Sequence, residues 1–181
     1  MQLYHVNLAM DCVFDNILTN TSGFQELDYN RNNCSKQFMQ WVIKHNVTWD
    51  RAKMFNSPPN YRYKLHIDGN KHMNCVKLNV VFNSYGTVMN WYKPKNGYQG
   101  YTGTSDLNRP ILYWDPMYCD LVHTAAVDTV CLINGGEIHD LVNTDNRGQN
   151  RHCYSFSLTH PGTRTRVTWA AALELFADCI V

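Results

Sequence analysis

Apolar and polar positions divide the chain into two textures. Between residues 33 and 46 the apolar residues recur at helical spacing, with Phe38, Trp41 and Val42 on one side. A helix is therefore predicted over 33–46, capped by Asn33 and packed on a sheet. From residue 61 onward the pattern changes to short extended runs separated by turn residues. Strands are predicted at 61–68, 75–82, 88–92, 111–114, 129–134, 137–143 and 151–159, with an earlier one over 3–10. Many short strands without intervening helices predict a sandwich or barrel. The stretch 93–110, with Pro94, Gly97, Gly100, Gly103 and Pro110, reads as a long loop suited to a lid or binding segment. An alanine-rich run after Thr168 predicts a closing helix over 168–178.

Strand alternation then sorts side chains by face. In 61–68 it places Tyr61, Tyr63, Leu65 and Ile67 on one side and Arg62, Lys64, His66 and Asp68 on the other. An imidazole and a carboxylate two residues apart can reach one cation, and a further histidine from a neighbouring strand would complete a facial triad. Taken alone, His66 and Asp68 read rather as a hydrogen-bonded pair at a strand end, and context must decide. The segment 132–143 supplies the further histidine: a strand, the Gly135-Gly136 turn and a second strand bring His139 onto a sheet face, 73 residues after His66. Arg151 follows twelve residues later and opens a strand whose apolar face is Tyr154, Phe156 and Leu158. Its other face, Arg151, Cys153, Ser155 and Ser157, is small and polar around one guanidinium, which suits a carboxylate. In 75–80, Cys75, Lys77 and Asn79 likewise share a face opposite Val76, Leu78 and Val80.

Composition narrows the setting. The chain has 181 residues, 44% hydrophobic and 17% charged, with 11 Tyr, 7 Phe and 5 Trp, as a single aromatic-rich domain would. A formal charge of +1 leaves no broad footprint for nucleic acid or an acidic membrane. Neither a charged leader nor a membrane-length apolar run is present, so a soluble cytoplasmic protein is expected. Seven cysteines lie scattered without a C-x-x-C pair, which suggests neither a disulfide framework nor a thiolate zinc site. His5, His45, His123, His152 and His160 have no partner at ligand spacing, and His72 sits in a turn near the expected metal mouth. Arg147 competes with Arg151 for a carboxylate, but lies in a turn beside Gly148.

The order His-x-Asp, distal His, then Arg resembles the iron(II)/2-oxoglutarate oxygenase superfamily. The phrases Phe55-Asn56-Ser57-Pro58-Pro59, Leu65-His66-Ile67-Asp68-Gly69, Cys75-Val76-Lys77-Leu78-Asn79-Val80 and Asn90-Trp91-Tyr92 look like the small stand-alone hydroxylases related to aspartyl/asparaginyl and prolyl hydroxylases. So does the run from Gly136 to Asn143 followed by Arg151. The resemblance implies a mainly β fold, a double-stranded β-helix or cupin-like jelly-roll barrel with flanking α-helices. Helical support is expected over about 1–55, the jelly roll over about 56–160 and the closing helix at the C-terminal end. It implies His66, Asp68 and His139 as ligands of a catalytic iron(II), and Arg151 as the anchor of 2-oxoglutarate. Lys77, Asn79 and Ser155 are the further expected contacts, Cys153 standing where the family often has Ser or Thr. The implied reaction consumes O2 and 2-oxoglutarate, yields succinate and CO2, and hydroxylates a peptidyl or free amino-acid side chain. Two alternatives stay open: a jelly-roll binding or structural module, and a cupin-like metalloenzyme that does not use 2-oxoglutarate. Trp91 and Tyr92 are candidates to line the pocket.

Overall fold

The computed structural model describes residues 4–10, 14, 25–29, 33–69, 75–105, 108–127, 129–144 and 147–181. His72 and Cys12 lie outside these residues, as does part of the expected first strand. Among the described residues the chain runs through β1 (His5–Asn7), β2 (Gln25–Asp28), α1 (Lys36–Lys44), β3 (Thr48–Ser57), β4 (Tyr61–Arg62) and β5 (His66–Ile67). It continues through β6 (Val76–Phe82), β7 (Thr87–Pro94), β8 (Tyr101–Thr104), β9 (Pro110–Tyr113), β10 (Cys119–Ala126), β11 (Val130–Asn134), β12 (His139–Asn143), β13 (Arg151–Thr159) and α2 (Trp169–Leu175).

The strands form two antiparallel sheets, ordered β1-β11-β6-β13-β3-β2 and β10-β7-β12-β5-β9-β8, with β4 also on β12. Between β3 and β13 the chain crosses from one sheet to the other at nearly every step. The exceptions are the step from β4 to β5, both on β12, and the run from β7 to β10, which the β8–β9 hairpin interrupts. That winding is a double-stranded β-helix, the jelly-roll solution to having few free edges.

The larger apolar core lies on the side of the first sheet that meets the helices. Phe38, Trp41 and Val42 of α1 pack with Val76, Leu78 and Val80 of β6 and with Tyr154, Phe156 and Leu158 of β13. The Phe38 and Phe156 rings are 5.0 Å apart. Phe176, just beyond α2, closes on Trp41 at 5.5 Å. Each such buried Phe or Leu stabilises the fold by about 1.5 to 3 kcal/mol. Because one face of β6 and β13 is committed to this core, their alternate residues are forced into the barrel.

Several expected elements differ in detail. Ser35, not Asn33, caps α1, accepting the Phe38 N–H at 3.1 Å. The helix stops where Asn46 takes a left-handed φ of 52°. The jelly roll begins at β3, inside the region expected as helical support, since β3 pairs with β13 from Thr48 to Ser57. The segment 93–110 is not an open loop: β8 pairs with β9, Tyr101 opposite Tyr113 and Thr104 opposite Pro110. Two of its glycines, Gly100 and Gly103, serve close packing, while Gly97 takes a left-handed φ of 69° in open space. A Cβ on Gly103 would sit 2.8 Å from the Tyr113 ring, and one on Gly100 2.5 Å from the Tyr113 carbonyl oxygen. No helix among the described residues is long and apolar enough to cross a membrane.

Candidate metal centre

β5 and β12 are antiparallel neighbours, and their register sets His66 directly opposite His139. The two rings lie 4.5 Å apart. Each ring is held in the same way: Nδ1 meets the carbonyl two residues earlier, Lys64 for His66 and Glu137 for His139, both at 2.8 Å. A carbonyl can only accept, so Nδ1 carries the proton and Nε2 presents its lone pair, the tautomer that a metal-bound imidazole needs.

Asp68 follows β5 and faces both rings, its Oδ1 4.0 Å from His66 Nε2 and its Oδ2 3.8 Å from His139 Nε2. The three ligand atoms lie within 4.8 Å of one another, wide enough to admit a single ion between them. Burial pushes the His66 imidazolium down to about 4, and the neighbouring His139 adds to the effect. Burial alone would raise Asp68, but Lys77, then His139 and His66, hold it down at about 2. Two imidazoles held with Nε2 turned to the centre and one ionised carboxylate form a donor set suited to a non-haem iron(II) or a similar divalent ion.

A cavity opens beside this triad. It holds about 620 Å³ of empty space, part of it open to solvent, and its wall includes Tyr63, His66, Asp68, His139, Asn79, Arg151, Cys153 and Ser155. Arg151 is only 2% exposed. Its Nε and Nη2 find no hydrogen-bond partner among the described residues. The Asn79 Oδ1 is likewise buried and unpaired. Burying a guanidinium is costly unless it is paired, so this end of the cavity favours an anion.

Lys77 is buried, as the inward face of β6 requires, but its ammonium does not line the cavity wall. It donates to Ser157 Oγ at 2.9 Å and sits 3.8 Å from Asp68 Oδ1. Asp68 keeps the Lys77 pKa above its ordinary value against the opposing effect of burial. Lys77 thus pairs with the Asp68 carboxylate from inside the barrel.

The predicted alternation along 61–68 fails between β4 and β5. Residues 63–65 leave the strand, which shifts the phase by one residue. Tyr63 turns inward, its ring 4.8 Å from His66, whereas Arg62 turns outward onto Asp140. Asp140 is fully buried and accepts from Arg62 Nε at 2.8 Å, Asn90 Nδ2 at 2.8 Å and the Tyr92 hydroxyl at 3.2 Å. This network clamps β4, β7 and β12 on the face opposite His139.

Other residues escaped the sequence reading. Lys53 and Phe55 of β3 and Glu26 of β2 line the cavity, with Lys53 and Glu26 paired. The recognition of β3 as a strand would have exposed the inward set Lys53, Phe55, Ser57. Nothing along the chain signals Glu26. Trp91 and Tyr92 line no part of the cavity; both are buried, Trp91 beside Tyr4 and Met89, Tyr92 beside Leu65 and Ile138. Arg147 is a surface residue stacked 4.2 Å over Tyr85, as its turn position implied.

No protein-family model and no curated protein matches this chain. Among solved structures it is similar to E. coli ycfD, 16% identical over 71% of this chain, with a TM-score of 0.41. It spans 30% of the ycfD chain. It is also similar to an oxalate oxidase solved with the substrate analogue glycolate, 13% identical over 90% of this chain and 69% of that one, with a TM-score of 0.34. Likenesses this distant carry no argument, and the fold assignment rests on the strand order of the two sheets.

Proposed function

We propose that this protein is a non-haem iron(II) oxygenase that uses 2-oxoglutarate and O2. The observation that carries the reading is Arg151: a buried guanidinium, two of its nitrogens unpaired, in the same cavity as His66, Asp68 and His139. A jelly roll needs no inward cation for its own stability. A dicarboxylate that reaches the metal at one end and Arg151 at the other accounts for both features.

His66, Asp68 and His139 would hold the iron, the two backbone-anchored imidazoles fixing direction and Asp68 offsetting part of the charge. Bound together, iron, 2-oxoglutarate and O2 supply the oxidising chemistry, with decarboxylation to succinate and CO2 coupled to oxidation of a second substrate. Arg151 would grip the distal carboxylate in a planar fork, with Ser155 and Asn79 available as polar neighbours on the same wall. Tyr63 and Phe55 add aromatic rings to the same wall. The second substrate in this reading is an amino-acid side chain, free or in a peptide.

The test is succinate formation by metal-reconstituted protein, measured with and without 2-oxoglutarate across a panel of peptides and amino acids. Iron-dependent succinate that disappears in Arg151→Ala supports the reading. Iron binding without any succinate, even with the uncoupled reaction given time, points instead to a metalloprotein of the same fold that does not use 2-oxoglutarate.

A further inference from the structure

A second cluster of ligating atoms lies outside the barrel, where the end of α1 meets the segment after α2. The sequence gives His45 no partner, yet the fold brings it to Asp178 and Cys179. His45 Nε2 lies 3.1 Å from Cys179 Sγ and 3.3 Å from Asp178 Oδ1, and Cys179 Sγ lies 3.5 Å from that same oxygen. The three atoms form a compact triangle.

Its dimensions are informative. Zinc bonds of about 2.0 Å to nitrogen and oxygen and about 2.3 Å to sulfur, at tetrahedral angles, place N and O about 3.3 Å apart and S about 3.5 Å from either. Two of the three edges agree with that figure, and the N to S edge has to open by only a few tenths of an ångström.

The imidazole is also prepared for the task. His45 Nδ1 donates to the Trp41 carbonyl at 2.8 Å, which leaves the Nε2 lone pair facing the thiol. The ring is clamped between Trp41, 4.7 Å away, and Phe176, stacked at 4.6 Å. Cys179 is fixed through its backbone, its carbonyl accepting from Ala9 N at 2.8 Å and its N–H donating to Phe176 at 2.9 Å. His45 and Cys179 are buried while Asp178 is exposed, so an ion would enter from solvent past Asp178.

We propose that His45, Asp178 and Cys179 form a zinc site, three protein ligands with water completing the tetrahedron, that pins the C-terminal segment to α1. Binding converts the Cys179 thiol to a thiolate and releases its proton to solvent, so affinity rises with pH. The site is independent of the 2-oxoglutarate reading. Its thiolate also separates it spectroscopically from the His66, Asp68 and His139 centre, which has no sulfur ligand.

The experiment is titration of the whole metal-free protein with cobalt(II), then displacement by zinc(II). The expected result is a thiolate-to-cobalt charge-transfer band that saturates at one equivalent, persists in His66→Ala and vanishes in Cys179→Ala. Asp178→Asn, an exposed substitution that leaves the packing alone, is expected to weaken zinc binding tenfold or more. No sulfur-to-cobalt band in the parent protein, a band unchanged in Cys179→Ala, or unchanged zinc affinity in Asp178→Asn would overturn the proposal and leave a hydrogen-bonded thiol and imidazole.

Discussion

Gly135 is pressed against Asp68: a Cβ built on it would lie 2.6 Å from Asp68 Oδ2, the oxygen that faces His139. Their backbones are joined as well, Asp68 N–H donating to the Gly135 carbonyl at 2.7 Å. The glycine of the turn before β12 therefore sets where the ligand carboxylate stands. Gly135→Ala is expected to displace that carboxylate and weaken divalent-metal binding about 10- to 100-fold, as changes just outside a ligand shell do. Isothermal titration with manganese(II) measures it. Parent-like affinity in a folded variant would show that Asp68 has room to move.

Arg151→Ala is expected to leave metal affinity nearly intact while raising the 2-oxoglutarate concentration needed for turnover tenfold or more. Tenfold is the lower bound, about 1.4 kcal/mol, and a buried charge contact with one partner removed costs up to about 2 to 5 kcal/mol. Arg151→Lys keeps the charge without the fork and should fall between the two. An unchanged 2-oxoglutarate requirement would move the anchor to Lys53, the other cation on the cavity wall.

Asp140 faces away from the His66, Asp68 and His139 cluster, so its removal should act on stability more than on those side chains. Asp140→Ala is expected to cost about 1 to 3 kcal/mol through the lost hydrogen bonds of Asn90, Tyr92 and Arg62. Arg62 is half-exposed and can be rehydrated, which keeps the figure modest. Urea denaturation gives the value, and a shift below a few tenths would mean the clamp is ornamental.

Acid should destabilise the metal-free protein from about pH 6.5 downward. His66 is neutral in the fold down to about 4, whereas the unfolded chain takes up that proton near 6.5. Between those values the unfolded state binds more protons, so stability falls as pH falls, by up to about 3 kcal/mol at full extent. The depressed His152 pKa, lowered by burial and then by Arg151, acts in the same direction. Asp68 extends the loss further: its contribution is complete above the unfolded carboxylate pKa and disappears as pH drops through about 2. Melting temperature against pH, compared with His66→Gln, checks the assignment. The variant curve should be flatter between pH 6.5 and 4.

The inward and outward faces of β6 and β13 were legible because each strand has one fully apolar face. Tyr154, Phe156 and Leu158 had to meet a core, and Arg151 was thereby turned inward. β3 was illegible for the opposite reason. Trp49, Ala52 and Met54 face the helices, but Lys53, Phe55 and Ser57 face a partly polar cavity, so no clean period of two survives. β10 is largely exposed and lacks an apolar face that would mark it. In 93–110 Gly100 and Gly103, which read as loop residues, are instead the places where β8 and the residue before it lie close against Tyr113 and Trp114.

By itself the sequence determined which candidate donors stand at which spacing: His66 and Asp68 two residues apart, His139 after a Gly-Gly turn, Arg151 at the head of an alternating strand. Those follow from local periodicity, which short-range sterics and burial fix. Only the tertiary structure decided that Tyr63 turns in and Arg62 turns out, that Lys77 serves Asp68 and not the cavity, and that His45 finds Asp178 and Cys179. Each of these depends on a phase break, a buried ion pair or a contact between helices far apart in the chain. Periodicity carries no record of them, because the partner's position is set by how whole sheets and helices pack.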